Sequence, residues 1–130
     1  EYWPIEKIET LHNRLDVAAA QEGIVPGDAA RDALGLPRNV PVVGNVGRLH
    51  PDKDQATLLA GFAAALPKLP DSAQLAIAGS GPLEAALKKQ ATKLNIADRV
   101  HFLGQVADVR RFFSAFDLFV LSSDHEPFGM

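Results

Sequence analysis

Two cations stand close together in the first half of the chain. Arg48 and Lys53 share the stretch Gly47–Asp54 (GRLHPDKD), which follows a Val-rich run at Pro41–Gly47. A planar guanidinium fork and a compact ammonium suit a diphosphate: the first takes two oxygens at once, the second acts as a point charge. Lys53 also precedes a segment with helical spacing, and a helix start favours an anion. Gly47, at the turn between the run and the two cations, is a candidate ligand-binding residue beside them. Near the other end, Asp124 and Glu126 have period-two spacing in SSDHEPFGM. A retaining glycosidase needs two carboxyls roughly 5 Å apart, whereas neighbours on one strand face stand roughly 6–7 Å apart. Glu126 before Pro127-Phe128-Gly129 instead suggests a carboxylate accepting from sugar hydroxyls, with main-chain N–H groups of Phe128 and Gly129 beside it. His125 adjoins Glu126 and is placed to touch the same ligand.

Other motifs point less far. Gly79-Ser80-Gly81-Pro82 is a glycine-rich turn, but neither it nor Gly44-x-x-Gly47 is G-x-G-x-x-G, so a dinucleotide fingerprint is missing and Gly79 and Gly81 read as a tight turn. There is no Walker A sequence. The four histidines, His12, His50, His101 and His125, show no metal spacing, and His101, in an apolar run, reads as a satisfied core residue. Tyr2 and Trp3 read as packing residues. The chain has no cysteine, which excludes a disulfide scaffold, a cysteine-ligated zinc and thiol catalysis. Its net charge of −3 lacks the basic field of a general nucleic-acid binder. No apolar run is long enough to span a membrane, and the charged stretch Glu1–Glu9 does not resemble a signal peptide.

The elements that must position these groups alternate. Apolar runs at Pro41–Gly47, Ala73–Gly79, Arg99–Leu103 and Asp117–Leu121 predict four strands. Between them, Asp54 is placed to cap a helix carrying Leu58, Leu59, Phe62 and Leu66, which Pro67 and Pro70 stop. Pro82 suits the first turn of the next helix, with Leu83, Leu87 and Leu94 on one face, Glu84 and Lys88 as an i,i+4 pair, and Asn95 as a left-handed stop. Asp108 is placed to cap a third helix, with Val109, Phe112, Phe113 and Phe116 at helical spacing. Earlier, Ile8–His12 reads as a short strand and Gly27–Gly35 as a helix capped by Asp28, while the Ala-rich stretch between them has no clear pattern. With 130 residues, 47% of them hydrophobic, the chain holds one domain. The alternation predicts an α/β fold: a Rossmann-like parallel sheet in the order 3-2-1-4 with helices on both faces. In that order the loops after the first and fourth strands meet at the switch point, bringing Arg48 and Lys53 to Glu126. The fourth strand is left as an apolar edge, a surface for self-association, and the simplest expectation is a fragment of a longer protein.

Taken together, Val43–Asp54, Ala78–Glu84, Val100–Gly104 and Glu126–Met130 resemble the C-terminal, nucleotide-sugar-binding domain of retaining GT-B glycosyltransferases of the group called family 4. The resemblance runs from about Ile8 to Met130. Leu11–Asp16 is similar to the segment crossing from the N-terminal domain, with Arg14 where glycine is usual. The phrasing of His50–Leu59 is most similar to lipopolysaccharide-core and related cell-envelope transferases. The resemblance implies an incomplete half of a GT-B fold, with 1–37 leading from the missing acceptor domain and 38–130 a partial donor-binding domain. It implies that Arg48 and Lys53 grip the donor diphosphate and that Glu126 contacts the sugar. Phe128 and Gly129 would offer main-chain N–H groups to it, and Gly104, Gln105 and Val106 would hold the base. The second glutamate of the family pair falls beyond Met130. The implied reaction is sugar transfer from a nucleotide diphosphate to a cell-envelope glycan or glycolipid with retained anomeric configuration, without metal or cofactor. The implied place is the cytoplasm or the inner face of its membrane. On the residues alone, a non-catalytic nucleotide-binding module and a sugar-nucleotide epimerase remain open. A phosphorylated flavodoxin-like regulator is disfavoured, because Gly47-Arg48 stands where it would need aspartate.

Overall fold

The computed structural model describes residues 16–124. The expected strand at Ile8–His12, the segment up to Leu15, and His125, Glu126, Phe128 and Gly129 lie outside the described residues. Strands β1 (Val42–Val46), β2 (Gln74–Ala78), β3 (Val100–Gly104) and β4 (Leu118–Phe119) form one parallel sheet in the order β3-β2-β1-β4. This is the order expected from the alternation of runs. Helices α3 (Gln55–Ala65) and α4 (Glu84–Lys93) connect the strands, and α1 (Val17–Gln21) and α2 (Gly27–Leu34) precede them.

The strand pleat sorts the core into two layers. Leu75 and Ile77 of β2 point to the face that packs with Leu58, Leu59 and Phe62 of α3 and Leu87 and Ala91 of α4. Ala76, between them, joins Val42, Ala30, Leu36 and Ala115 on the opposite face. Gly44 is paired in register with Ala76. A Cβ at Gly44 would come within 2.2 Å of the Phe116 ring, so the small Gly44–Ala76 pair is what lets that ring lie on the sheet. Helix α2 packs onto this sheet. Arg31 of α2, 8% exposed, donates from Nε to the Ala115 carbonyl (2.9 Å), from Nη1 to the Val40 carbonyl (3.1 Å) and from Nη2 to Asp117 Oδ2 (2.7 Å). Asp117 Oδ2 also accepts the Val42 N–H at 2.7 Å, so one ion pair ties α2 to the beginnings of β1 and β4.

Local signals act mostly as expected. Asp54 accepts from the Thr57 N–H at the start of α3, Lys88 donates to Glu84 at 2.6 Å, and Asn95 takes φ 57° after α4. Gly35 ends α2 at φ 66°, with the Leu36 N–H returning to the Arg31 carbonyl. Four expectations shift. Pro82 lies in the turn before α4, which starts at Glu84. Asp28 sits in the first turn of α2 behind Pro26 and makes no capping bond. The third helix is a 3₁₀ segment, Val109–Ala115, and Asp108 turns its carboxylate to Arg110 Nε at 3.1 Å instead of capping. Phe112 and Ala115, both facing the second core layer, are three apart, and that spacing serves a period of three as well as 3.6. The fourth strand is two residues long; just past it the Val120 N–H still donates to the Gly44 carbonyl of β1 (2.9 Å), while the Val120 carbonyl accepts from Asn45 Nδ2 (2.8 Å). Leu118 and Leu121 are exposed, as an uncovered edge requires.

His101 of β3 is half-buried and hydrogen-bonded, as expected of a core histidine. The Gln74 amide nitrogen donates to the Ser72 carbonyl (2.9 Å), so its oxygen faces His101 Nε2 (2.9 Å), and the ring carries its proton on that nitrogen. Burial pushes the imidazole below its ordinary value of 6.5. The unfolded chain therefore binds this proton first, and stability falls as pH drops through about 6.5 and on to the depressed folded value. We expect unfolding free energy to drop more between pH 7.5 and 5.5 in the parent chain than in His101→Gln. Equal losses in urea titrations would rule out this origin.

Candidate functional site

The carboxyl ends of β1, β2 and β3 are stitched together by main-chain bonds. The Gly47 N–H donates to the Ala78 carbonyl (3.0 Å), Leu49 N–H to Ser80 (3.0 Å) and Gly79 N–H to Gly104 (2.7 Å). The glycine turn after β2 has a more specific role than turning. Gly79 has φ 139°, and a Cβ there would lie 1.9 Å from the Gly47 carbonyl oxygen; one at Gly81 would lie 2.4 Å from that of Leu49. Only glycine lets the two loops touch in this way.

Above this floor, a cavity of about 120 Å³ is lined by Val46, Gly47, Ala78, Gly79, Gln105, Val106 and Val109. It unites three of the residues singled out in the sequence, Gly47, Gln105 and Val106. Gly104, at φ 67°, ends β3 beside it. A larger hollow of about 730 Å³ shares Gln105 and Val106 but opens between α2 and β3. None of its lining comes from the Gly47–Asp54 loop.

The cations stand at the end of β1. A Cβ at Gly47 would meet Lys53 Cγ at 3.6 Å, so the lysine stem lies back against the strand end. Arg48 is solvent-exposed, with Nη2 3.6 Å from Asp52 Oδ2. The other oxygen of Asp52 takes His50 Nδ1 at 2.7 Å. That hydrogen bond, aided by the charges of His50, Lys53 and Arg48, outweighs partial burial and holds Asp52 below the usual carboxylate range. Asp52 thus stays anionic and serves as the local counter-ion of the loop.

The loop after β4 runs onto this one. Ser122 Oγ donates to the Lys53 carbonyl at 2.7 Å, and the Asp124 N–H to the Asp52 carbonyl at 3.2 Å. The described chain therefore arrives at the cation loop two residues before Glu126. His125, Glu126, Phe128 and Gly129 themselves lie outside the described residues. Among those described, no group of three or more histidine or acidic side chains could hold a metal, and no helix is long and apolar enough to cross a membrane.

Three supporting residues had not been singled out: Asn45, Gln55 and Asp52. The first two leave a signal in the sequence, each being an amide inside an otherwise apolar pattern, and both are buried, at 2% and 1% exposed.

The family model described as glycosyl transferases group 1 matches residues 27–130. The lipopolysaccharide core biosynthesis glycosyltransferase LpsE of Rhizobium meliloti (strain 1021) is 39% identical over 99 residues, which are 76% of this chain and 28% of that protein. The crystal structure of Anabaena Alr3699/HepE in complex with UDP superposes with a TM-score of 0.74 at 29% identity, covering 97% of this chain and 35% of that one. The same protein in complex with UDP-glucose gives a TM-score of 0.64 at 33% identity, covering 76% and 28%. The chain thus spans about a third of the proteins it matches, and its sheet corresponds to the C-terminal half of a GT-B structure. With its strand order, its glycine-floored strand ends and a family match over most of its length, the chain belongs to the glycosyl transferases group 1 family.

Proposed function

We propose that this chain is the donor-binding part of an enzyme that transfers a sugar from a nucleotide diphosphate to an acceptor with retention at the anomeric carbon. The observation that carries the reading is the meeting of the loops after β1 and β4, through Ser122 on Lys53 and Asp124 on Asp52. The complexes of a relative with UDP and UDP-glucose support the ligand class.

In this reading Arg48 and Lys53 neutralise the pyrophosphate as its charge grows on departure of the sugar. Preorganised cations aimed at developing charge are effective because they need no reorganisation during the step. Glu126 accepts from sugar hydroxyls and orients the ring, with His125 beside it, while the main-chain N–H groups of Phe128 and Gly129 face the sugar. The hollow formed by Gly47, Gln105 and Val106, with Gly104 behind it, takes the nucleoside end. Residues 38–130 form the donor-binding unit, and 1–37 lead from the acceptor-binding half. A cell-envelope glycan or glycolipid is the acceptor we favour, supported by a relative named for lipopolysaccharide core synthesis. Such an acceptor would place the reaction at the inner face of the cytoplasmic membrane.

Calorimetry of the full-length protein with UDP, GDP and ADP tests the reading. We expect one of the three to bind and Lys53→Ala to abolish that binding. Indifference to all three would leave a structural module. Conversion of donor to an epimer without acceptor would assign the site to an epimerase.

A further inference from the structure

Gln55 is the first residue of α3 and is 1% exposed. Its neighbours on the buried side of the helix, Leu58, Leu59 and Phe62, are apolar. Its Nε2 donates to the Arg48 carbonyl at 3.0 Å, and that carbonyl also accepts the His50 N–H at 2.9 Å. A carbonyl can only accept, so the amide must present its nitrogen here. Its oxygen, Oε1, is left without a partner among the described residues. Burying an amide with one acceptor unmet is unfavourable. Methionine or leucine would fill the same space without that cost, so the glutamine weakens the core in which it sits. What it secures is the main chain of Arg48. A Cβ at Gly47 would lie 3.6 Å from the same nitrogen, which places the amide against both residues at the end of β1. The Arg48 side chain is exposed and its one described ion pair is long, at 3.6 Å. Where that side chain leaves the loop is set by the backbone that carries it.

We propose that Gln55 is a positioning residue for donor transfer: from the buried start of α3 it holds the Arg48 carbonyl, and so the direction in which the Arg48 side chain leaves the loop. The inference rests on the donor-site reading of Arg48 given above. It assigns Gln55 no contact with the donor. Its effect passes through Arg48, and that is what separates it from a residue needed only for folding.

The experiment is a double-mutant cycle in the full-length enzyme, with Gln55→Met, Arg48→Ala and the double variant, donor kcat and KM being measured for each. Gln55→Met is expected to lower kcat/KM about tenfold, with the loss split between kcat and KM as it is for Arg48→Ala, because a small misplacement of a charged group is costly to the reacting geometry. In the Arg48→Ala background the same substitution should change kcat/KM by no more than about twofold, since the group it positions is gone. Equal losses in the two backgrounds overturn the proposal, as does a single variant whose kcat and KM both match the parent. Should Gln55→Met fail to fold, the unmodified ¹⁵N-labelled chain still decides it. One Gln55 side-chain amide proton should be protected from exchange, and exchange of both at the solvent rate would refute the bond. A wild-type enzyme that ignores nucleotide and is unaffected by Arg48→Ala defeats the donor-site reading itself. A functional donor site with additive effects defeats only the role of Gln55.

Discussion

Lys53→Ala and Arg48→Ala are each expected to lower kcat/KM for the sugar donor by about 10²-fold or more in the full-length enzyme. The two cations are not interchangeable. Lys53 lies back along the end of β1, with its carbonyl held by Ser122, so its ammonium leaves from a loop fixed on both sides. Arg48 is exposed and shares Asp52 with His50, so it can exchange a long carboxylate contact for a bidentate one to phosphate. Arg48→Lys should therefore recover only part of the loss, because an ammonium lacks the fork. The loss should appear in kcat as well as KM if these groups act on charge that grows in the transition state. Measurement with saturating acceptor separates the two constants. Donor kinetics left unchanged by both alanine variants would remove the pair from the site.

Gly79→Ala is expected to destabilise the chain by about 4 kcal/mol, combining strain at a φ that L-residues rarely adopt with overlap against backbone. The overlap cannot be relieved by a side-chain rotation. The added Cβ would lie 1.9 Å from the Gly47 carbonyl oxygen, so the ends of β1 and β2 would have to part. That separation would also break the Leu49 to Ser80 bond and open the floor beneath Arg48. Gly61→Ala is the matched control. Gly61 lies within α3 and a Cβ there meets nothing within 4 Å, so the substitution should stabilise the chain by up to about 1 kcal/mol. Urea unfolding of the three proteins checks both. A Gly79→Ala chain as stable as the parent would show that the loops do not need this contact.

Much of the architecture could be read in advance because it depends on local pattern. Continuous apolar runs separated by amphipathic helices leave few ways to bury both faces of a sheet, and right-handed crossovers leave fewer still. The strand order β3-β2-β1-β4 follows from that, while the cap at Asp54 and the left-handed stop at Asn95 follow from residue type at a helix end. The run of Val109, Phe112, Phe113 and Phe116 predicts an α-helix, but apolar residues three apart serve a 3₁₀ turn as well. The choice fell to how Phe112 and Ala115 pack beneath the sheet. Asp108 misled because its carboxylate had a nearby competitor in Arg110.

The sequence by itself determined the layered sheet, the pair of cations after the first strand, and the meeting of the loops that follow the first and fourth strands. Tertiary structure alone decided that Gly79 and Gly81 are contact points between loops, that Arg31 joins α2 to two strands, and that the amides of Asn45 and Gln55 hold the carbonyls of Val120 and Arg48. The reason is range. Periodicity and capping act over a turn or two of chain, whereas these contacts join residues that only the completed sheet brings together, such as Arg31 with Asp117 and Asn45 with Val120.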